Sequence, residues 1–446
     1  MIGAGWAGLA AAVAATQAGV TVVLSDMARA PGGRAREILP GGRARAILPG
    51  GRAREISPGA RALDDGPACD DGWDNGQHIL IGAYSATLAL MRLVGAPVDA
   101  GLLRGPLALR YPDGGGLQLP DGAPLAAFGR GVLATRGWGV ADKAGLLWAA
   151  VGWLARGFRC ASTTNVAQLC ARLPARVQRE LIEPLCVAAL NTSMAQASGQ
   201  VFLRVLHDAL FSGRHGADLL LPRVPLSALL PAPATRWLQA QGADCRWGRR
   251  TMALAADGDG WWVDGEHFDA VVLACTASEA ARLTSGIAPR WSQTAAALRY
   301  EPILTVYLHD PDLRLAQRMT ALRTGSDAPA QFVFDLGQLG RAPQHYAFVV
   351  SGARDALSNG VDHAAQRVLA QARLAFPGAF AEPNALRQAS AERRATFACT
   401  PGLQRPGLAI APGLVAAGDY VAGPYPATLE GAVRAGQAAV QALLMV

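Results

Sequence analysis

MIGAGWAGLAAAVAATQAGVTVVLSDMA, residues 1–28, decides the fold. Gly3, Gly5 and Gly8 read as the turn and first helix of a dinucleotide-binding βαβ unit. The first glycine permits a tight turn, the second lets backbone approach a pyrophosphate, and the third lets helix pack close to strand. The helix N-terminus then offers N–H groups to the phosphates. A second strand, Val20 to Leu24, leads to Asp26, where the adenosine ribose hydroxyls would sit. A buried parallel strand should precede the glycines with about four more apolar residues. Here Met1 and Ile2 stand alone. The expectation is a first strand cut short, and tighter cofactor binding by a chain that supplies the rest.

With 446 residues the chain can bury a large core, in two domains that interleave. It is 51% hydrophobic and 17% charged, yet no run of eighteen apolar residues exists to span a bilayer. The glycine signature starts at residue 3, which leaves no room for a signal peptide. The expected place is the cytoplasm or the inner face of the cytoplasmic membrane. The formal charge of +7 is carried by scattered arginines, Lys143 being the single lysine. No basic patch interleaved with aromatics is present, so nucleic acid is not an expected partner; anionic lipid is compatible with the charge. The seven cysteines form no CxxC pair and the seven histidines no HExxH, so no metal site is expected.

After the second strand comes a nine-residue repeat: GGRAREILP (32–40), GGRARAILP (41–49) and GGRAREISP (50–58). Pro and Gly-Gly interrupt each copy, which predicts tandem duplication within a surface loop. The segment 108–122 reads as two short strands around turns. Residues 138–159, 166–189 and 201–210 read as helical. The first of these is rich in Trp and Leu and is expected to meet a membrane surface, to frame substrate entry or to pack in the core. Periodicity then turns to strands at 271–275, 303–310, 332–337 and 346–352. It returns to helix over 361–374, to a strand at 414–419 and to a helix from about Ala427. The nucleotide fold is thus visited at both ends. The boundaries predicted are 1–95, 236–285 and 401–446 for the nucleotide-binding part. A mainly helical part takes 96–235 and a sheet-and-helix part 286–400.

Gly32 lies six residues beyond Asp26, and Arg34 follows Gly33. A guanidinium beside a glycine-opened backbone can bridge pyrophosphate oxygens, so Gly32, Gly33 and Arg34 of the first copy take that role. Arg43 or Arg52 could replace Arg34 by slippage of the loop. This order, with AGD and a helix near the C-terminus, resembles the flavoproteins of the amine oxidase and phytoene desaturase superfamily. Four blocks narrow the resemblance to the hydroxysqualene dehydroxylases: DNGQHILIGAYSATLALMRLVG (74–95), LCVAALNTSMAQASGQVFLRVLHDALF (185–211), ADLLLPRVPLSALLP (217–231) and PATLEGAVRAG (426–436).

The resemblance implies an α/β flavoprotein in which a Rossmann-like FAD-binding domain is split by a mixed-sheet and helical substrate domain. It implies that Gly3, Gly5, Gly8 and Asp26 hold the ADP half of FAD. Asp26 stands where the family usually has Glu, and Tyr420 where it usually has Trp. It further implies an adenine contact from a strand near Thr251, an Asp419 beside the ribityl and phosphate oxygens after Gly418, and a helix start at Ala427, Thr428 and Leu429 facing the flavin. The implied reaction removes a hydroxyl reductively from a C30 isoprenoid alcohol to give squalene, with an electron donor that the sequence does not name. Rival readings are a carotenoid-type desaturase, an amine oxidase and a non-catalytic flavin scaffold. An amine oxidase of this type would want a lysine near the flavin, and Lys143 lies in a surface-like helix. For the proton donor, His78 stands first, since imidazole titrates in a useful range; it could equally bond a backbone carbonyl in a turn. Asp74 could orient it, act itself, or belong to an ordinary DNG turn. Glu183 lies in an apolar stretch that would raise its pKa, or it pairs with Arg179.

Overall fold

The computed structural model describes residues 1–38, 45–47, 53–55, 73–211 and 213–445. Its first layer is a parallel sheet gathered from distant parts of the chain. Strand Val23–Asp26 pairs in parallel with Asp244–Trp247, and Val271–Leu273 pairs in parallel with Leu414–Ala416. Ala409–Ala411 closes one edge in the antiparallel sense. Ile2 joins the two halves, bridging Ser25 on one side and Leu273 on the other. The two-residue stub therefore holds the central place. The Met1 ammonium donates to the Val23 carbonyl at 2.8 Å, and burial pulls its pKa down to about 5, because little water remains to solvate a charge there.

Helix Trp6–Gln17 is built of Ala, Gly and Leu, and nearly all of it is buried. Small side chains let its backbone approach its neighbours. A Cβ on Gly8 would lie 1.8 Å from the Gly3 carbonyl oxygen, and one on Gly436 would lie 2.2 Å from that of Ala7. Gly436 belongs to the last helix, Leu429–Leu444. The first and last helices of the chain thus touch backbone to backbone.

The second layer is a seven-stranded antiparallel sheet in the order Met319–Ala321, Phe332–Asp335, His345–Val350, Tyr300–His309, Leu386–Phe397, Arg45–Ile47, Ala53–Glu55. The three strands expected between 303 and 352 are present, and Leu386–Phe397 is an addition. Alternation along Tyr300–His309 divides the sheet's two faces. Val306 and Leu308 pack with Val368 and Leu369 of helix Val361–Ala375. Tyr307 points the other way, into a cluster with Val177, Ile182 and Phe202 of the helical layer. The repeat corrects an expectation. Instead of only lengthening a loop, its second and third copies supply strands Arg45–Ile47 and Ala53–Glu55, paired with each other and joined at Gln388 and Ala389. Leu386–Phe397 would otherwise end the sheet with unpaired backbone groups, which a short period-two segment can satisfy. Arg43 and Arg52 lie outside the described residues.

The helical layer comprises Pro124–Ala134, Val140–Ala155, Ala175–Leu190 and Gly199–Phe211, with shorter turns between. Within the third helix, Gln178–Ile182 is a π-turn, closed by the Glu183 amide on the Gln178 carbonyl. Pro184 follows and has no N–H to offer the Glu180 carbonyl four residues back. The Tyr111 hydroxyl fills that place, donating to Glu180 O at 3.1 Å. Of the three tryptophans expected near a surface, Trp138 and Trp153 are buried, whereas Trp148 is 80% exposed. No helix among the described residues is long and apolar enough to cross a membrane.

Candidate active site

The glycine turn and the first GGR copy lie side by side. The Gly32 amide donates to the Ala4 carbonyl at 2.8 Å, and Gly5 and Gly32 form a parallel bridge. A Cβ on Gly5 would meet nothing closer than the Gly33 Cα at 3.8 Å, so bare backbone faces open space. The first-turn amides of helix Trp6–Gln17, which have no carbonyl four residues back, end there. Asp26 braces this turn, its Oδ2 accepting from Ala4 N at 2.6 Å and its Oδ1 from Ala28 N at 2.7 Å. Each oxygen keeps a further lone pair with which to meet a ribose hydroxyl.

Arg34 is brought to Asp419, with Nη2 2.6 Å from Oδ1, although 385 residues separate them. Its other Nη donates to the Ala395 carbonyl at 2.7 Å. Burial opposes the guanidinium charge, yet Asp419, with Tyr300 and Glu392 near, holds its pKa above the ordinary value. The Asp419 carbonyl accepts from Ala427 N at 3.2 Å. Ala427 sits at φ 57°, a left-handed conformation that costs a non-glycine residue of order 1–3 kcal/mol. Thr428 caps the last helix, its Oγ1 accepting from Gly431 N at 2.9 Å, and Leu429 begins it. Gly418 is required by Tyr420, whose ring would lie 2.6 Å from a Cβ there. Thr251 corrects an expectation: it lies in the link between strands Asp244–Trp247 and Leu254–Asp257 rather than on a strand. The Gly248 and Arg249 amides still bond to Ala28 and Asp26, and the chain then turns away. Arg282 takes the Thr251 carbonyl at 2.5 Å.

The DNGQH segment is drawn to the same place. Asn75 Nδ2 donates to the Arg34 carbonyl and to Glu392 Oε2, both at 3.0 Å. His78 Nδ1 lies 2.9 Å from the Gly76 carbonyl. A carbonyl only accepts, so Nδ1 carries hydrogen and Nε2 is the atom at which a further proton is held or released. Burial pulls the His78 pKa below 6.5, against the Gly76 bond and the Asp74 charge, which raise it; Arg34 adds to the lowering. Asp74 is itself occupied, its Oδ1 accepting from Leu226 N at 2.9 Å and its Oδ2 from Arg341 at 2.6 Å. Burial raises its pKa, opposed by Arg341 and the Leu226 amide. The Tyr307 hydroxyl donates to its carbonyl at 3.0 Å. Asp74 thus ties the segment to the sheet.

Beside it lie polar groups with no hydrogen-bond partner among the described residues: both side-chain heteroatoms of Gln77, Thr305 Oγ1 and Gln388 Nε2. Thr305 and Tyr307 share a face of their strand, and Gln388 stands opposite Tyr307. A Cβ on Gly76 would lie 3.8 Å from His78 and 3.9 Å from Thr305 Oγ1. Orphaned buried groups cost about 1–3 kcal/mol each, and a polar ring edge would satisfy several of them together.

Glu183 lies apart from this cluster. It lines a pocket of ≈ 460 Å³ with Tyr111, Arg179, Glu180, Met194 and Arg323. Desolvation raises its pKa, against a 3.1 Å bond from the Met194 amide. That amide, not Arg179, is its partner. Sequence reasoning missed Arg341, and it missed Glu430, whose buried carboxylate accepts from Ala86 N, Thr87 N, Thr87 Oγ1 and Arg434. An acid two residues after a capping Thr, in the first helical turn of PATLEGAVRAG, was the available signal.

A split parallel sheet with a glycine turn, an antiparallel sheet under a helical layer, and an Arg–Asp pair uniting the two chain ends define a two-domain flavoprotein. The family profile described as "Flavin containing amine oxidoreductase" matches residues 6–444, and the chain belongs to that family. It is an FAD-dependent oxidoreductase. The cradle fits the cofactor: open backbone at Gly5 and Gly33 for the pyrophosphate, and orphaned polar atoms at Gln77, Thr305 and Gln388 for the ring. The hydroxysqualene dehydroxylase of Sinorhizobium fredii is 27% identical over 472 residues, and that of Rhodopseudomonas palustris 26% over 476. Each alignment covers 100% of this chain and 97% of the relative. Among solved structures, an oxidoreductase from Methanosarcina mazei superposes with TM-score 0.70 at 14% identity, over 99% of each chain. Cyclohexylamine oxidase from Brevibacterium oxydans gives 0.66 at 17%, over 100% of this chain and 98% of its own. At such identities these two speak for the fold alone.

Proposed function

We propose that this protein removes the hydroxyl of hydroxysqualene reductively to give squalene. The observation that carries the reading is end-to-end similarity to two hydroxysqualene dehydroxylases, combined with a DNGQH segment seated against Arg34. FAD, when bound and reduced, supplies a hydride to carbon. The chain supplies the rest. An allylic hydroxyl departs as water once protonated, and the hydride fills the vacated carbon, so two electrons, one proton and one hydroxyl balance. In this reading His78 Nε2 delivers the proton, with Nδ1 anchored on Gly76 to fix the ring. Asp74 and Arg341 hold the segment in place, and Glu183 is the second candidate donor. Gly3, Gly5, Gly8, Gly32, Gly33, Arg34, Asp26, Thr251, Gly418, Asp419 and the Ala427–Leu429 turn hold the cofactor. The electron donor that re-reduces it is an unidentified partner.

The test is anaerobic incubation of the photoreduced protein with hydroxysqualene and, in parallel, of the oxidised protein with phytoene. Squalene appearing as the flavin oxidises supports the reading. New double bonds in phytoene, with no squalene from the alcohol, would replace it by desaturation.

A further inference from the structure

Helix Val140–Ala155 buries Leu146 and Trp153 on one side. Its opposite side is apolar and uncovered: Val140, Ala144, Trp148, Val151 and Leu154 are all exposed, Val140 by 85%. Steps of four, four, three and three place them on one stripe. At 1.5 Å per residue, the stripe from Val140 to Leu154 is about 21 Å long. Helix Pro124–Ala134 packs against it and adds exposed Leu125 and Leu133. The charges around this face are mostly positive, with exposed Asp121 ahead of helix Pro124–Ala134 as the exception. Arg130, Arg136, Arg156 and Arg159 are exposed. The one acid in the stretch, Asp142, is turned to cap the Gly139 amide at 3.0 Å.

We propose that this face docks on an anionic lipid bilayer, with helix Val140–Ala155 lying in the interfacial plane. An apolar stripe with mostly basic flanks suits such a surface: the side chains enter the acyl boundary while the arginines reach lipid phosphates. A second copy of this chain is a poor occupant, because a two-fold contact would set the same arginines against each other. A pocket of ≈ 470 Å³ lined by Pro124, Leu210, Phe211 and Arg214 opens beside Leu125. On the isoprenoid reading above, that pocket receives a substrate dissolved in the bilayer; docking itself does not depend on the substrate.

The experiment is co-sedimentation of the flavin-loaded protein with phosphatidylcholine vesicles, with and without phosphatidylglycerol. The unaltered chain partitions onto vesicles containing phosphatidylglycerol, less so as salt rises, and Trp148 fluorescence shifts to the blue. Trp148→Glu combined with Val151→Glu lowers the partition coefficient roughly tenfold or more, with flavin content unchanged. Should that variant misfold, Trp148→Gln serves with a smaller drop. A triple Arg136→Gln, Arg156→Gln, Arg159→Gln variant loses the preference for phosphatidylglycerol. The proposal is overturned if the unaltered chain ignores both vesicles, if folded variants bind as well as it does, or if the stripe variants instead abolish a dimer that forms without lipid.

Discussion

Asp74 and Arg341 are 267 residues apart in sequence, and their side chains are only 2% and 6% exposed at a separation of 2.6 Å. Replacing Asp74 by Asn keeps an acceptor for the Leu226 amide but removes the negative charge that faces the buried Arg341 guanidinium at 2.6 Å. Breaking a buried pair from one side costs about 3–5 kcal/mol, a large part of a typical stability of roughly 5–15 kcal/mol. Arg341→Met strands the carboxylate at a similar cost. The double variant removes both charges at once and is expected to be less destabilised than the two single losses together, by roughly 2 kcal/mol or more. Urea unfolding at neutral pH, followed by flavin release and by far-UV circular dichroism, closes the cycle. Additivity of the three variants to within about 0.5 kcal/mol would refute the reasoning, for it would show that the pair is not coupled. A second readout belongs to function. The single variants loosen the segment bearing His78, so bound flavin should change its absorption band where a remote destabilising change would not move it.

Three further outcomes follow from the site. His78→Ala should slow substrate-driven flavin oxidation by roughly 10²–10⁴-fold. Because burial lowers the His78 pKa, the protonated, active form is lost as pH rises through a midpoint below 6.5, and a limb above that value in stopped-flow rates would contradict the assignment. By linkage, folded His78 binds fewer protons than the unfolded chain between its lowered pKa and 6.5, so its contribution to stability grows with pH across that window. Asp26→Ala should weaken FAD binding more than turnover at saturating FAD, since it removes the brace on Ala4 as well as a ribose acceptor; equal dissociation constants by fluorescence titration would dismiss it. Deleting residues 41–58 removes, among the described residues, the edge strands Arg45–Ile47 and Ala53–Glu55 and spares Gly32, Gly33 and Arg34, so flavin content and rate should persist; an apoprotein from that deletion would place the cofactor contact in another copy.

The glycine turn was legible because each glycine answers a local steric demand that residues 3–8 state by themselves. Spacing alone singled out the first GGR copy, and the bridge from Gly5 to Gly32 sets that copy beside the glycine turn. Partners across the chain were not. Nothing near DNGQH announces Arg341, since the pairing depends on where a loop 267 residues later returns. Leu386–Phe397 was missed because it carries Arg393, Arg394 and Glu392 in a run poor in β-branched residues; its strand character comes from the neighbours that pair with it. The tryptophans of 138–159 look alike in sequence. Only the angle at which the helix meets its neighbours buries Trp153 and leaves Trp148 in solvent.

The backbone contact between the first and last helices has a consequence for biosynthesis. Ala7 meets Gly436, Arg34 meets Asp419, and Thr87 meets Glu430. While the chain is still emerging from the ribosome, the glycine turn and its helix lack these packing partners until Asp419, Glu430 and Gly436 have been made. A chain that stops before Asp419 keeps its whole glycine fingerprint but lacks the partners that Ala7, Arg34 and Thr87 meet.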